Sequence, residues 1–245
     1  MVAAPPKVVV VVPTYDEREN LPKLVSELFG LGLPNLHLLV VDDNSPDGTG
    51  EVADGLAAAS PERIGVLHRA QKNGLGRAYI EGLTRALSEG ADVVIHMDAD
   101  LSHPVSVIPT MLDLLRSTDV DIVIGSRYVR GGSTAADWSL HRKALSVGAN
   151  LYVNAILRLH VKDATAGFRA YRARSLAAMD LLSTHSSGYS FHVEMTHRAA
   201  RSGLNVVEVP IRYVERVSGA SKMSVRVQIE SALTPWRLLL RRDER

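Results

Sequence analysis

The chain contains no cysteine. Disulfides, thiolate nucleophiles and cysteine-ligated zinc are excluded together, and the absence suits a reducing compartment. Aromatic residues are scarce, at 5%, and 28 Lys and Arg against 27 Asp and Glu leave a formal charge of only +1. No global field therefore recruits nucleic acid or membrane, and any basic function must be local. No apolar run approaches the roughly 20 residues of a membrane helix, and the opening "MVAAPPK" lacks the long apolar stretch of a signal peptide. The expectation is a soluble chain, or one that lies on a membrane surface. Gly-x-Gly-x-x-Gly does not follow the first apolar run and Gly-x-x-x-x-Gly-Lys-[Ser/Thr] is absent, which removes the main support for dinucleotide and P-loop binding. There is no Gly-x-Ser-x-Gly elbow of a serine hydrolase, and the nine histidines show no His-Glu-x-x-His spacing.

What is present is an ordinary globular mix, 46% hydrophobic and 22% charged over 245 residues, which suits one large domain. Short β-branched runs at 7–12, 37–41, 64–68, 92–97 and 121–125 read as strands buried on both faces. Between them, 21–31, 49–59, 76–89 and 105–116 carry helical apolar spacing. Strands alternating with helices imply right-handed crossovers and a mostly parallel sheet with helices on both faces. Beyond this, 140–159 reads as a long helix, 206–217 holds strand-like runs, and 225–240 reads as a last helix.

In an open α/β sheet, ligands bind beyond the carboxyl ends of the strands. Four polar loops follow four strands here, "PTYDERE", "DDNSPDG", "DADLSH" and "GSRYVRGG", so they should meet at one edge. Asp98 and Asp100 would repel each other unless a positive charge sits beside them. A hard divalent cation, Mg2+ or Mn2+, is a natural partner because it takes oxygen ligands and can bridge to a diphosphate. The alternative is structural, with Asp100 or Ser102 capping a helix that begins near Pro104. Asp42-Asp43 has the same two readings: a carboxylate accepting from a ribose or base, or Asp43 or Asn44 tying off a turn. Glu17 divides likewise. Gly74 and Gly76, between Lys72 and Arg77, can approach a nucleotide or simply make a tight turn. His96, inside a strand, reads as a packed core residue.

Cations gather in three places. Arg127 directly follows a strand; Arg142, Lys143, Arg158 and Lys162 fall in an acid-free stretch from Trp138 to Lys162; Arg216 and Lys222 flank a Gly-Ala-Ser turn. Arg142 and Ser146 are four apart and share a helical face. Arginine, lysine and a hydroxyl beside a metal suit phosphate, while each cation alone reads equally as solvated surface.

In order along the chain, "VVVPTYDEREN", "VVDDNSPDGTG", "KNGLGRAYIEG" and "MDADLSHP" resemble a family 2 glycosyltransferase of the GT-A fold. "IGSRYVRGG", "DATAGFRAY", "GYSFHVEM" and "VPIRYVERVSGASKM" narrow the resemblance to dolichol- or polyprenol-phosphate mannose synthases, from about residue 8 to 223. The resemblance implies GDP-mannose as donor, a divalent cation and a lipid phosphate as acceptor. It places the donor at Pro13, Tyr15, Glu17, Asp43, Lys72, Asp98, Ala99 and Asp100, with Asp98 and Asp100 on the metal. Ser102 sits where some relatives carry a glutamine beside that metal. Arg127, Arg142 and Ser146 match positions on the phosphates, and Arg216 and Lys222 match a loop that closes over them. Past Met223 the pattern departs from synthases that continue into membrane helices. It implies a 1–223 catalytic domain and a 224–245 helical tail, peripheral on the cytoplasmic side of the membrane with a separate integral membrane partner. In the tail, Leu233, Trp236, Leu239 and Leu240 follow helical spacing with a basic border, which suits a membrane surface or packing against protein. The rival readings are a glycosyltransferase acting on a sugar hydroxyl, with Asp163 or Glu194 as base, and a nucleotide-sugar-binding regulator or nucleotidyltransferase-like protein.

Overall fold

A computed structural model describes residues 5–186, 188, 190–215 and 225–240, without the side chains of 225–230. Its centre is a mixed seven-stranded sheet ordered β3-β2-β1-β4-β6-β5-β7. The strands are β1 (Val8–Thr14), β2 (Leu36–Asp42), β3 (Ile64–His68), β4 (Val93–His96), β5 (Ile122–Ser126), β6 (Arg169–Arg172) and β7 (Val206–Pro210). The helices are α1 (Leu21–Gly30), α2 (Thr49–Ala59), α3 (Leu75–Ser88), α4 (Ile108–Ser117), α5 (Leu140–Leu157), α6 (Ala173–Ala178), α7 (Ser190–Arg201) and α8 (Val225–Leu240).

The valine run of β1 explains the layering. Side chains alternate across a strand, so Val9 and Val11 enter one core with Tyr79, Ile80 and Leu83 of α3 and Phe191 and Met195 of α7. Val8, Val10 and Val12 enter the other, against Leu21, Leu24 and Leu28 of α1 and Ile108 and Met111 of α4. A strand buried on both faces needs apolar residues at every position, which is why no polar alternation is visible. β1 runs through Pro13 to Thr14 rather than stopping before the proline. It pairs with β2 along its whole length but with β4 only as far as Val11 opposite His96. Pro13 therefore lies where the neighbour has ended, and its missing N–H costs little ladder bonding.

Sequence patterning misses the short helix α6 and one strand of the sheet. β6 is four residues long, antiparallel, and inserted between β4 and β5. Its Arg169 is fully buried and donates to the carbonyls of Ala166 and Ala164, so a cation occupies a core position where hydropathy gives no strand signal. Of the 206–217 run, residues 206–215 are described, and among them Val206–Pro210 is a strand, with an isolated bridge between Ser133 and Arg212 beyond it. His96 lies in the core as expected, its ring 4.5 Å from Tyr79 and 5.5 Å from Tyr171. Burial, with His192, Arg169 and His103 nearby, holds its pKa well below the usual imidazole value.

α8 lies back against the domain. Its Ala232 carbonyl accepts from Tyr152 of α5 at 2.6 Å, and Thr234 and Pro235 are buried. Among the described residues no helix is long and apolar enough to cross a membrane.

α3 packs tightly on the sheet at Gly82, where a Cβ would stand 2.5 Å from Val11 Cγ1 and 2.7 Å from Val41 Cγ2. Gly82→Ala is expected to lower stability by about 1–3 kcal/mol through overpacking, read as a lower urea midpoint at unchanged slope. A midpoint equal to or above that of the parent would show that the helix can lift without cost.

Candidate active site

β1, β2, β4 and β5 all run in the same direction, because β6 is antiparallel to both β4 and β5. Their carboxyl-end loops consequently share one edge. At the β1–β3 side, the two consecutive aspartates separate in role. Asp42 ties off the turn: its carboxylate accepts from the Ser45 N–H at 3.1 Å, the Ser45 hydroxyl at 2.6 Å and Thr14 at 3.1 Å. That work was expected of Asp43 or Asn44. Asp43 instead forms a buried ion pair with Arg69, whose other Nη donates to Glu81 at 3.0 Å. Burial raises the Asp43 pKa, opposed by Arg69 and Lys72. Lys72 Nζ rests 3.3 Å over the Tyr15 ring, a cation–π contact that joins the loop after β1 to the loop after β3. Pro13, Tyr15, Asp43 and Lys72 thus line one end of the edge. Glu17, next to them, accepts from Asn20 at 2.7 Å while its own N–H donates to Thr49.

Past β4 stand the paired aspartates. Asp98 accepts from the Tyr79 hydroxyl at 2.9 Å, and its N–H donates to His103 Nδ1 at 3.3 Å. Asp100 accepts from the Ser102 N–H at 3.1 Å and its hydroxyl at 2.6 Å. Ala99, between them, is buried and turns its back to the core. Neither Asp100 nor Ser102 caps a helix: the 3-10 turn Val105–Val107, with Pro104 at its N-cap, receives no side-chain cap, and neither does α4 behind it, whose N-cap is Val107. The capping reading is overturned. Among the described residues no three His, Cys, Asp or Glu side chains gather as a metal cage. Two all-oxygen carboxylates at a strand end fit a hard cation that completes its shell with diphosphate oxygens and water, as Mg2+ and Mn2+ do. Gly167 packs behind Asp98; a Cβ there would lie 3.3 Å from His192 Nε2 and 3.5 Å from Asp98 Oδ2.

Tyr213, just beyond β7, connects this acidic pair to the basic side. Burial pushes its pKa up, as do Asp100 and Asp98, against a hydrogen bond shared with Ser102 and the charge of Arg127. Arg127 does not project outward. Its Nε and Nη2 fork onto Asp163 at 2.8 and 2.7 Å, and Nη2 also donates to Thr165. Its neighbour Tyr128 donates to Ser146 Oγ at 2.6 Å, and so ties the β5 loop to α5. Arg142 lies one turn before Ser146 on α5. Its guanidinium stacks on Trp138 at 4.1 Å and pairs with Glu215 at 3.0 Å, where the Trp138 indole N–H also donates. Arg216 and Lys222 lie outside the described residues.

The two acids considered as bases are both engaged. Asp163 is fully buried under Arg127, and Glu194, 1% exposed, accepts from the Ser186 and His185 N–H groups and from Arg198. Sequence reasoning missed Arg69, Tyr213, Trp138 and Glu215. Arg69 carried a usable signal, since it directly follows a strand as Arg127 does; the other three are brought in only by tertiary contact. A cavity of about 600 Å³ opens at the opposite edge, among Pro6, Leu33, Pro34, Leu112, Arg116 and Arg172. It faces the amino ends of β1 and β4, where this topology places no ligand loops.

Burial opposes ionisation of Asp163, but the Arg127 fork, the Arg127 N–H and Thr165 outweigh it and hold the carboxyl below its ordinary pKa. A depressed carboxyl stabilises above its unfolded pKa and loses that contribution as pH falls through the folded value. Asp163→Asn strands a buried guanidinium and is expected to cost about 3–5 kcal/mol at neutral pH. The gap from the parent should close under acid, in urea titrations run across pH. A gap that stays constant into acid would refute the assignment of this pair.

The comparisons with known proteins agree with this architecture. The family described as "Glycosyl transferase family 2" matches residues 9–179, from β1 past α6. The polyprenol monophosphomannose synthase of Mycolicibacterium smegmatis is 47% identical over 218 residues, 89% of this chain and 81% of that protein. The undecaprenyl-phosphate mannosyltransferase of Micrococcus luteus is 46% identical over 237 residues, 96% of each. In fold, a glucosyl-3-phosphoglycerate synthase from Mycobacterium tuberculosis, crystallised with Mn2+, UDP and phosphoglyceric acid, superposes with a TM-score of 0.70 at 19% identity. It covers 98% of this chain and 80% of that one. A mannosyltransferase from Pyrobaculum calidifontis, in complex with GDP-Man and Mn2+, gives 0.58 at 20% identity over 87% of this chain and 57% of its own. With a family match that spans the sheet and relatives near half-identical over most of their length, this chain belongs to glycosyl transferase family 2.

Proposed function

We propose that the protein transfers a mannosyl group from GDP-mannose to a polyprenyl phosphate, with inversion, to give a β-linked mannosyl phosphate and GDP. The observation that carries this reading is the order of groups along one sheet edge: Asp43 and Tyr15, then Asp98 and Asp100, then Arg127, Ser146 and Arg142, with both candidate bases engaged by cations. Relatives named for polyprenyl-phosphate mannosyl transfer support the acceptor, and the neighbour holding GDP-Man and Mn2+ supports the donor and the metal.

The chemistry fits that arrangement. The bond between the anomeric carbon and the GDP oxygen breaks, and its electron pair stays on GDP. A bond from an acceptor phosphate oxygen forms on the opposite face, so α becomes β. A phosphate monoester has its second pKa near 6 and is already mostly dianionic at neutral pH. No proton has to leave, whereas a sugar hydroxyl would need a general base. Asp163 and Glu194 fold into ion pairs, which suits the acceptor that needs none. Tyr15, Asp43 and Lys72 orient the nucleotide; Asp98 and Asp100 hold the cation, which when bound would offset charge growing on the diphosphate. Arg142 and Ser146 grip the acceptor phosphate, with Trp138 and Glu215 aligning the guanidinium. Arg127, locked by Asp163, supplies positive charge from a fixed position, so no reorganisation is needed as charge shifts.

Transfer of radiolabel from GDP-mannose into organic-extractable lipid tests the reading directly, and label that stays water-soluble would overturn it. Asp100→Asn should lower that transfer about 100-fold or more with an unchanged thermal melt, and excess chelator should abolish it in the parent. Arg142→Ala should weaken use of lipid phosphate about 10–100-fold, the cost of a charge-assisted hydrogen bond, while calorimetric GDP-mannose affinity stays within about twofold. An equal loss of donor affinity would move Arg142 to the donor side.

A further inference from the structure

A serine or threonine inside a helix often donates to a carbonyl about one turn back. Ser88, Ser117 and Thr196 do so, bonding the carbonyls of Arg85, Asp113 and His192 at 2.8, 2.6 and 2.9 Å. Ser146 of α5 does not. Among the described residues its hydroxyl only accepts, from the Tyr128 hydroxyl at 2.6 Å. Between two hydroxyls the phenol is the better donor, because its ring spreads the charge that donation leaves on the oxygen. The Ser146 proton is therefore directed away from Tyr128, and Ser146 is only half-buried, so a ligand can reach it. Tyr128 is itself held in place. Its N–H donates to Ser126 Oγ at 3.3 Å, and the preceding Arg127 is forked onto Asp163. Asn150 closes the circuit. Its Nδ2 donates to the Ser146 carbonyl at 3.1 Å and to Thr165 Oγ1 at 3.2 Å, and that same hydroxyl accepts from Arg127 at 2.8 Å. One ring of hydrogen bonds thus fixes the loop after β5 to α5, with the Tyr128–Ser146 bond as a link in it.

We infer that Tyr128 is a positioning residue for the acceptor phosphate, acting through Ser146; this rests on the reading of a phosphate monoester as acceptor. The phenol fills one acceptor position of Ser146 Oγ and turns the serine proton toward the incoming phosphate. A phosphate dianion offers only acceptors, so a hydroxyl that faces it has to donate. A serine free to rotate would also present a lone pair to the phosphate, or bond back to the Arg142 carbonyl, and in both cases lose that donation. Donors in series polarise one another as well, which strengthens the outer bond. Arg142, one turn before Ser146, brings charge to the same phosphate. Tyr128 sets the direction of the neutral donor beside it, without touching the phosphate.

The test is a double-mutant cycle on the full chain, read by calorimetric binding of a short, water-soluble polyprenyl phosphate with GDP and Mn2+ present. Transfer from GDP-mannose to the same acceptor gives the kinetics. Tyr128→Phe keeps the ring and removes only the hydroxyl. It should weaken acceptor binding about 3–10-fold, the cost of one neutral hydrogen bond. Acceptor KM should rise to match while kcat holds, as for a contact made equally before and during reaction, and GDP-mannose affinity should stay within about twofold. Ser146→Ala should weaken acceptor binding about 10–100-fold. In that background Tyr128→Phe should add no more than about twofold, because the two residues act as one unit. Losses that multiply in the double variant would show Tyr128 acting without Ser146 and overturn the inference. A bond that merely seats α5 would lower the thermal melt in Tyr128→Phe and leave acceptor affinity unchanged, which overturns it too. A parent that binds no phosphate monoester rejects the acceptor reading and the inference together. A parent that binds and transfers, with Tyr128→Phe indistinguishable from it, rejects the inference alone.

Discussion

The parallel pairing of β1 with β2 on one side and β4 on the other is the constraint on which the rest of the molecule depends. Parallel neighbours need crossover helices, which cover both faces of the sheet and force its strands to be apolar throughout. The same geometry sends the polar residues that follow the parallel strands β1, β2, β4 and β5 to one edge. Chemistry and core are therefore separated along the chain by a residue or two: Val12 is sealed, while Tyr15 is at the edge; Met97 is sealed, while Asp98 is half-buried. The antiparallel β6 preserves this rule by returning the direction of β5 to that of β4.

At the edge, charge is organised by mutual neutralisation. Asp43 is held by Arg69, Arg127 by Asp163, and Arg142 by Glu215. A buried charge without a partner would cost several kcal/mol, so Asp43 and Arg127 each sit beside a counter-ion that also fixes its direction, while the Arg142–Glu215 pair is more exposed. Tyr213 stands between the halves, near enough to Asp98, Asp100 and Arg127 for each to shift its pKa. The result is a graded surface, acidic at the β4 loop and basic toward α5, which is the order that the proposed cation, diphosphate and acceptor phosphate would require.

α5 presents two different faces. One face carries Arg142 and Ser146, and another carries leucines turned to solvent. Only three of its residues are buried, so its retention depends on polar ties as well: Asn150 to Thr165, Tyr128 to Ser146, Tyr152 to α8.

Local pattern alone was enough for much of this. Valine runs mark β1, β2 and β4; the 49–59, 64–68 and 225–240 boundaries coincide with α2, β3 and α8 as they stand. The polar loops after β1, β2, β4 and β5, and with them most candidate residues, follow because strand ends are legible from where apolar runs stop. What only the tertiary structure decided is partnership. Asp42 rather than Asp43 ties the turn because its carboxylate meets Ser45 and Thr14, a matter of direction and not of residue type. Asp100 and Ser102 bond each other instead of capping α4 because a 3-10 turn intervenes. β6 was hidden because a four-residue strand with a buried arginine has neither length nor hydropathy. Asp163 and Glu194 are indistinguishable from bases along the chain, and contacts at 36 and 4 residues' separation engage them in ion pairs. Periodicity, strand ends and an i,i+4 pair such as Glu194–Arg198 are local properties, so the sequence determines them; the long-range partner of a charge, such as Asp163 for Arg127, is set by three-dimensional approach, which no single stretch encodes.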